Sequence, residues 1–389
     1  MGLSNNSTGT SLLNSDFNSL KNKCDYTIAI AGNPNVGKST IFNNLTGMHQ
    51  HTGNWPGKTV SNACGITKYK NKKFLLVDIP GTYSLMSNSE EEEIARNYIC
   101  FGNPDVTILV LDATCLERSL NLVYQTMEIT KNIVVCINLL DEAQKKGISI
   151  DLEKLEELLG VPVVGTIARK KKTLQNLMQK VNGVCLKKNT YSPNLVRYDI
   201  FIEENVSILS LKLKHFLPIK YKNLSRWICI KLIENDKHII SDINKNIFGF
   251  DIREKKSIKK TLITCKQKLK NSSIYEDEYK SLIVTSIINN CSLICKKVCT
   301  YKKANYQNQD RKIDKILTSK MWGIPIMLGF LGFIFWLTII GANYPSKLLS
   351  IFFELIEKKI TYLLNIYSTP PWLLSLLING IYKTLSRCY

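Results

Sequence analysis

The chain has 389 residues, enough for two or three domains with a sizeable core. Its 52 Lys and Arg outweigh 32 Asp and Glu, and the formal charge of +20 favours an anionic partner: nucleic acid, an anionic membrane face, or only a nucleotide. Biased codon usage in a Lys- and Asn-rich chain gives the same balance, while the 12 scattered cysteines, with no C-x-x-C pair, point to a reducing, cytosolic setting for the first 300 residues.

No apolar run follows Met1, so no secretory signal is expected, and Asn6 stands where an N-terminal myristoylation motif wants Ser or Thr. Residues 1–24, rich in Ser, Asn and Thr, are expected to be disordered. Tyr26–Ala31 predicts a strand, and Lys38–Gly47 the helix that follows it. Ala63–Tyr69 and Phe74–Ile79 predict a hairpin turned at Asn71-Lys72. Val106–Leu111, Ile133–Asn138 and Val161–Thr166 are continuous apolar runs of parallel-strand character. Helices are expected between them, at Glu90–Phe101, Leu116–Thr130, Asp151–Leu159 and Thr173–Val184. This alternation predicts a doubly wound α/β domain over 25–188, with its ligand loops at the carboxyl edge of the strands.

Over 189–300 glycine nearly vanishes and charges recur at helical spacing, which predicts an all-α second domain. A basic juxtamembrane linker, 301–320, carries Lys302, Lys303, Arg311, Lys312, Lys315 and Lys320. The uncharged run Met321–Gly341 is long enough to cross ~30 Å of hydrocarbon as a transmembrane helix. The basic flank then leaves the preceding domains in the cytoplasm, on the inner face of the cell membrane. Leu348–Tyr367 mixes apolar residues with Glu354, Glu357, Lys358 and Lys359, predicting an amphipathic helix in the membrane interface. Pro370-Pro371-Trp372 should break it before a short apolar helix running toward Tyr389.

Four elements carrying chemistry follow one another. Gly32-Asn33-Pro34-Asn35-Val36-Gly37-Lys38-Ser39, continued by Thr40, fits G-x-x-x-x-G-K-[ST], a P-loop whose backbone N–H groups cradle phosphates. Lys38 should bridge the β- and γ-phosphates and the Ser39 hydroxyl should ligate Mg²⁺. Thr59 is expected as a second Mg²⁺ ligand and γ-phosphate sensor. In Asp78-Ile79-Pro80-Gly81, Asp78 should hold Mg²⁺ through water while the Gly81 N–H contacts the γ-phosphate. Lys38, Thr59 and Gly81 are thus the expected catalytic set. In Asn138-Leu139-Leu140-Asp141, Asp141 can accept hydrogen bonds from the N1–H and N2–H₂ donors of guanine, a pair that adenine lacks. Asn138 should support the base and tie this loop to the phosphate loop. Thr166-Ile167-Ala168 is the expected fifth motif, offering a backbone N–H to the guanine carbonyl. These elements predict a GTPase using GTP, GDP and Mg²⁺. Thr82, where many small GTPases carry a water-orienting Gln, and the lack of an identifiable arginine finger predict slow turnover aided by a monovalent cation.

Three segments together resemble the ferrous iron transport protein B (FeoB) family. They are Gly53-Asn54-Trp55-Pro56-Gly57-Lys58-Thr59-Val60, Asp78-Ile79-Pro80-Gly81-Thr82-Tyr83-Ser84-Leu85, and Lys312–Leu317 running into Trp322-Gly323-Ile324-Pro325. The resemblance implies a cytosolic G domain, a helical domain that slows nucleotide release, and a polytopic membrane domain moving Fe²⁺. It also implies potassium-stimulated hydrolysis through an Asn matching Asn35. The sequence departs from the family at Lys58, Ser61 and Ile167, and the family's remaining membrane helices are not in it. The expectation is therefore a C-terminally truncated or split transporter, whose membrane half is missing or supplied separately, or by self-association.

Other residues invite sharper readings than they support. Cys291, Cys295 and Cys299 share a helix face and read as an apolar stripe rather than an iron site. His49 and His51 read as solvated loop residues, Glu90–Glu93 as the acidic start of a helix, and Lys170-Lys171-Lys172 as a solvated turn. Two other functions remain open: a soluble RNA- or ribosome-associated GTPase, which the charge favours and Met321–Gly341 opposes, and a decayed fragment without transport. In the leading reading no nucleic acid is expected as a partner.

Overall fold

The computed structural model describes residues 20–47, 50–55, 61–86, 89–187, 191–272, 274–301, 316–317, 319, 323–366, 370–382 and 384. They fall into two compact units, divided at Lys303/Ala304.

The first unit is built on a seven-stranded sheet. In chain order it runs β1 (Tyr26–Gly32), α1 (Lys38–Thr46), β2 (Gln50–Asn54), β3 (Ser61–Tyr69), β4 (Lys72–Asp78), α2 (Glu90–Phe101), β5 (Val106–Asp112), α3 (Leu116–Met127), β6 (Ile133–Asn138), α4 (Leu140–Lys145), β7 (Ile148–Ile150), α5 (Leu152–Leu159), β8 (Val163–Gly165) and α6 (Lys171–Cys185). The strand order is β2-β3-β4-β1-β5-β6-β8. The β4-β1-β5-β6-β8 strands are parallel and β3 alone runs against its neighbours. Side chains alternate across a pleated strand, so β1 divides its residues between two cores. Ile28 and Ile30 enter the core shared with α1 and α6, and Ala29 and Ala31 that shared with α2 and α3. Burial on both faces explains why β5 reads as an unbroken apolar run, each such side chain contributing about 1.5–3 kcal/mol.

The hairpin is present, but its turn is Lys70-Asn71 rather than Asn71-Lys72, with φ of 46° and 60°. Two successive positive φ values match the strand twist, and Asn tolerates that region. Residues 20–24, expected to be disordered, include a helical turn over 20–22. Leu20 and Cys24 pack beside Cys64, Leu75 and Val77. His51, expected in a loop, lies in β2 opposite Cys64, and His49 lies outside the described residues. Glu90–Glu93 do open a helix, capped by the Ser89 side chain accepting from the Glu92 N–H.

The helical domain adds α7 (Ile200–Leu213), α8 (Ser225–Glu234), α9 (Lys237–Ile243), α10 (Lys256–Asn271) and α11 (Glu276–Val298). Its longest helix, α11, packs on α3 and α5 of the first domain. Cys291 and Cys295 are buried in that contact, as an apolar stripe requires, whereas Cys299, expected on the same helix face, lies beyond the helix end at Val298 and is only half-buried. The chain then returns as β9 (Cys299–Tyr301), which pairs antiparallel with β7. Neither short strand carries an apolar run, and each exists through the other.

The second unit holds α12 (Gly323–Ile366) and α13 (Pro371–Ser375), whose helical path continues to Tyr382. The separate transmembrane and interfacial helices expected from sequence are one helix of 44 residues, roughly 66 Å long at 1.5 Å per residue. Extending an existing helix costs less than nucleating another, so the chain carries on past Gly341. Its segment Gly323–Gly341 is long and apolar enough to cross a membrane, and none of it is buried.

Candidate nucleotide site

The loop after β1 is shaped by its left-handed residues. Asn35 and Gly37 sit at φ of 63° and 83°. A Cβ on Gly37 would lie 2.4 Å from Asn138 Nδ2, and one on Gly32 would lie 2.4 Å from the Val110 carbonyl oxygen. Glycine is required at both by close approach, and at Gly37 also by backbone conformation. The residues 34, 35, 39 and 40 face solvent, whereas Val36 is buried and anchors the loop in the α1/α6 core.

The parallel pairing of β1 with β4 brings the second motif to the same edge. The Lys38 ammonium donates to Asp78 Oδ1 and, at 2.5 Å, to the Ile79 carbonyl. Burial pushes the Asp78 carboxyl above its ordinary value, and the Lys38 charge pulls the other way. The Thr82 N–H donates to the Gly32 carbonyl at 3.1 Å, and Gly81 lies against Pro34. Thr82 is buried, and its hydroxyl donates to the Ser84 carbonyl at 2.5 Å. That hydroxyl is directed into its own loop, where it also accepts from the Ser84 N–H at 3.2 Å. Thr59, Lys58 and their neighbours in 56–60 lie outside the described residues; Ser61 begins β3.

Asn138 at the end of β6 gathers the other loops. Its Nδ2 donates to the Val36 carbonyl at 2.9 Å, and its Oδ1 accepts from the Thr166 hydroxyl and the Ala168 N–H, each at 3.1 Å. Leu139, at φ 62°, turns the chain sharply into α4, placing half-buried Asp141 in the first turn. The Asp141 carboxylate has no hydrogen-bond partner among the described residues and can accept two donors. The fifth motif differs from expectation in detail. The Ile167 N–H already reaches the Thr173 hydroxyl at 3.3 Å, and that of Ala168 is held by Asn138. A guanine carbonyl would have to share one of them.

Several supporting residues were not singled out in the sequence. Asn44 on α1 donates to the Ala168 carbonyl at 2.9 Å, and Cys136 lies 3.1 Å from the Thr166 hydroxyl. Thr173 could have been read as a hydroxyl poised at a helix start, but Asn44 and Cys136 had no local signal. Gln125 on α3 accepts from the Leu85 N–H at 2.6 Å, fixing the segment after Gly81. One turn on, Glu128 meets Arg226 Nε at 3.0 Å and the Tyr198 hydroxyl at 3.2 Å, and Arg226 also pairs with Glu203. Trp55 packs edge-on against Tyr98, with centroids 5.2 Å apart. Among the described residues, no three His, Cys, Asp or Glu side chains group as a metal site.

Residues 26–181 match the model described as "Ferrous iron transport protein B", and residues 198–300 match "FeoB cytosolic helical domain". The chain is 34% identical over 359 residues to the Fe(2+) transporter FeoB of Methanocaldococcus jannaschii, covering 92% of this chain and 50% of that one. It is 31% identical over 327 residues to a Porphyromonas gingivalis Fe(2+) transport protein A/FeoB fusion protein, covering 82% and 37%. The chain therefore spans about half, or less, of these relatives. Among solved structures, the cytosolic domain of L. pneumophila FeoB superposes with a TM-score of 0.58 at 30% identity, covering 70% of this chain and 99% of that one. A GDP-bound S. thermophilus NFeoB mutant gives 0.60 at 28%, covering 71% and 100%. The two family models together cover both domains of the first unit, and the chain belongs to the ferrous iron transport protein B family.

Proposed function

We propose that this chain binds GTP with Mg²⁺ and hydrolyses it slowly, as the cytosolic switch of an Fe²⁺ transporter of the inner membrane, with Gly323–Gly341 as its span. The observation that carries the nucleotide reading is the Asn138 bridge. It joins the phosphate loop at Val36 to the fifth motif, three residues before the guanine acceptor Asp141. Iron rests on the named relatives, which are Fe(2+) transporters.

The residues fit their proposed ligands. Ser39 and Asp78 offer hard oxygen donors, with Thr59 as the proposed third, and such donors suit Mg²⁺. Mg²⁺ held there would supply neutralisation of the triphosphate's negative charge. Asp78 is shared with Lys38 in the described conformation, so Lys38 must turn from Asp78 and Ile79 toward the phosphates when GTP binds. The Gly81 N–H then reports the γ-phosphate, and release of that contact is the switching event. Exposed Asn35, whose side-chain amide carries an oxygen donor, is the proposed K⁺ ligand. With Thr82 turned inward, the chain's own catalytic contribution is positioning and electrostatics.

The test is GTP hydrolysis by the full chain in detergent, in K⁺ and in Na⁺, with Asn35→Ala beside it. Hydrolysis that resists excess ATP, is faster in K⁺, and loses its K⁺ stimulation in the variant is expected. Equal rates in both salts remove the Asn35 role. Absence of any GTP binding removes the whole reading.

A further inference from the structure

The corner between α7 and α8 is exposed in an unusual way. Ile219 opens a short 3₁₀ turn after Pro218 and is 86% exposed, and Leu211 on the last turn of α7 is 66% exposed. Phe216 between them is also exposed. Around these apolar side chains stand Lys212, Lys214, Lys220 and Lys222, all exposed. None of the four has a carboxylate partner among the described residues; Lys220 lies over the Tyr221 ring. No acidic residue occurs between Glu204 and Glu234. The other basic groups of that stretch are engaged internally, Arg226 with Glu128 and Glu203, and Lys231 with Glu234.

We propose that this corner, Leu211–Asn223, docks the helical domain on the anionic lipid surface of the membrane that the chain itself enters. Ile219, Leu211 and Phe216 would enter the headgroup boundary, and the four lysines would meet lipid phosphates. A bilayer fits better than a protein partner. The apolar tip is a few exposed side chains at a short turn, whereas a specific protein interface buries about 1,200–2,000 Å². A lipid surface accepts single inserted apolar groups ringed by cations. The tether also matters. Residues 302–322 separate β9 from α12 and can reach at most about 75 Å, so a bilayer is always at high effective concentration. Individually weak contacts then suffice.

The experiment is hydrogen–deuterium exchange of the full chain in nanodiscs of phosphatidylcholine alone or with phosphatidylglycerol. Backbone amides in 211–223 should exchange about fivefold more slowly, or better, in the anionic discs, with the protection lost in high salt. Ile219→Asp and the fourfold Lys→Glu variant should lose it while keeping wild-type GTP affinity, which shows that the fold survives. Equal exchange in both lipids overturns the docking. Protection that appears in detergent and grows with protein concentration also overturns it, in favour of a second copy of the chain. A chain that does not enter the discs overturns the span reading on which this proposal rests. A chain held in the discs with an unprotected corner overturns the docking alone.

Discussion

The Asn138 side-chain amide donates to the Val36 carbonyl at 2.9 Å, joining positions 102 residues apart. The same side chain accepts from Thr166 and Ala168, so one buried amide sets the spacing between the loop after β1 and the loops proposed to hold the base. Asn138→Ala leaves the Val36 carbonyl and the Ala168 N–H without this partner, at about 2 kcal/mol or more. Guanine-nucleotide affinity should fall at least about thirtyfold by calorimetric titration. An unchanged affinity would show that the loops hold their positions without it.

Asp141→Asn should change the preferred base. The carboxylate accepts from both guanine donors, and an amide replaces one acceptor by a donor. Affinity for GTP should drop by about 10²-fold or more, and xanthosine triphosphate, with a carbonyl in place of the 2-amino group, should now bind better than GTP. Competition binding with the two nucleotides reads this directly, and a variant that still prefers GTP would remove Asp141 as base reader.

Lys38→Ala should cut hydrolysis by about 10²–10³-fold and alter the proton chemistry of Asp78. Burial raises the Asp78 carboxyl and Lys38 lowers it, so removing the cation raises it further. Protons then compete better with Mg²⁺. The variant should need more Mg²⁺ for nucleotide binding as pH falls toward 6, with a steeper dependence than the wild type. Parallel Mg²⁺ titrations at two pH values would decide it.

Arg226→Ala should loosen the helical domain from the nucleotide domain. Glu128 is nearly buried beside Arg226, and stranding it uncompensated costs about 3–5 kcal/mol. Glu128→Gln in the same chain should recover part of that. The two carboxylates of the site respond to acid with opposite sign. Arg226 holds Glu203 below its ordinary value, so its stabilisation is present above about pH 4.3 and is lost as pH falls further. Burial raises Glu128, which therefore favours the folded state more as it protonates. Thermal unfolding from pH 7 to 4 should show the wild type losing less stability than Glu128→Gln, because the latter keeps only the Glu203 dependence.

Gln125→Ala should affect the switch segment without touching the base. The Leu85 N–H donates to Gln125, one turn before the Glu128–Arg226 contact. Removing it should raise backbone exchange over 83–86 and leave GDP affinity within about twofold, since no phosphate or base contact is lost. Unchanged exchange there would show that other contacts hold the segment.

The sequence by itself determined the local features of this protein. Apolar run length distinguished parallel strands from helices, the P-loop consensus needed its own glycines, and Asp141 supplied the acceptor pair on which the proposed guanine reading rests. It also marked Met321–Gly341 as able to cross a membrane, because composition and length decide that without neighbours. Only the tertiary structure decided what depends on distant partners. The β7–β9 pair joins Ile148–Ile150 to Cys299–Tyr301 through backbone groups, and backbone hydrogen bonds leave no trace in side-chain patterns. Asn44, Gln125 and Arg226 act across 40 to 124 residues, where no periodicity reaches. The continuity of α12 past Gly341 was hidden for a related reason: hydropathy changes where the residues change, while a helix ends only where its backbone hydrogen bonds do.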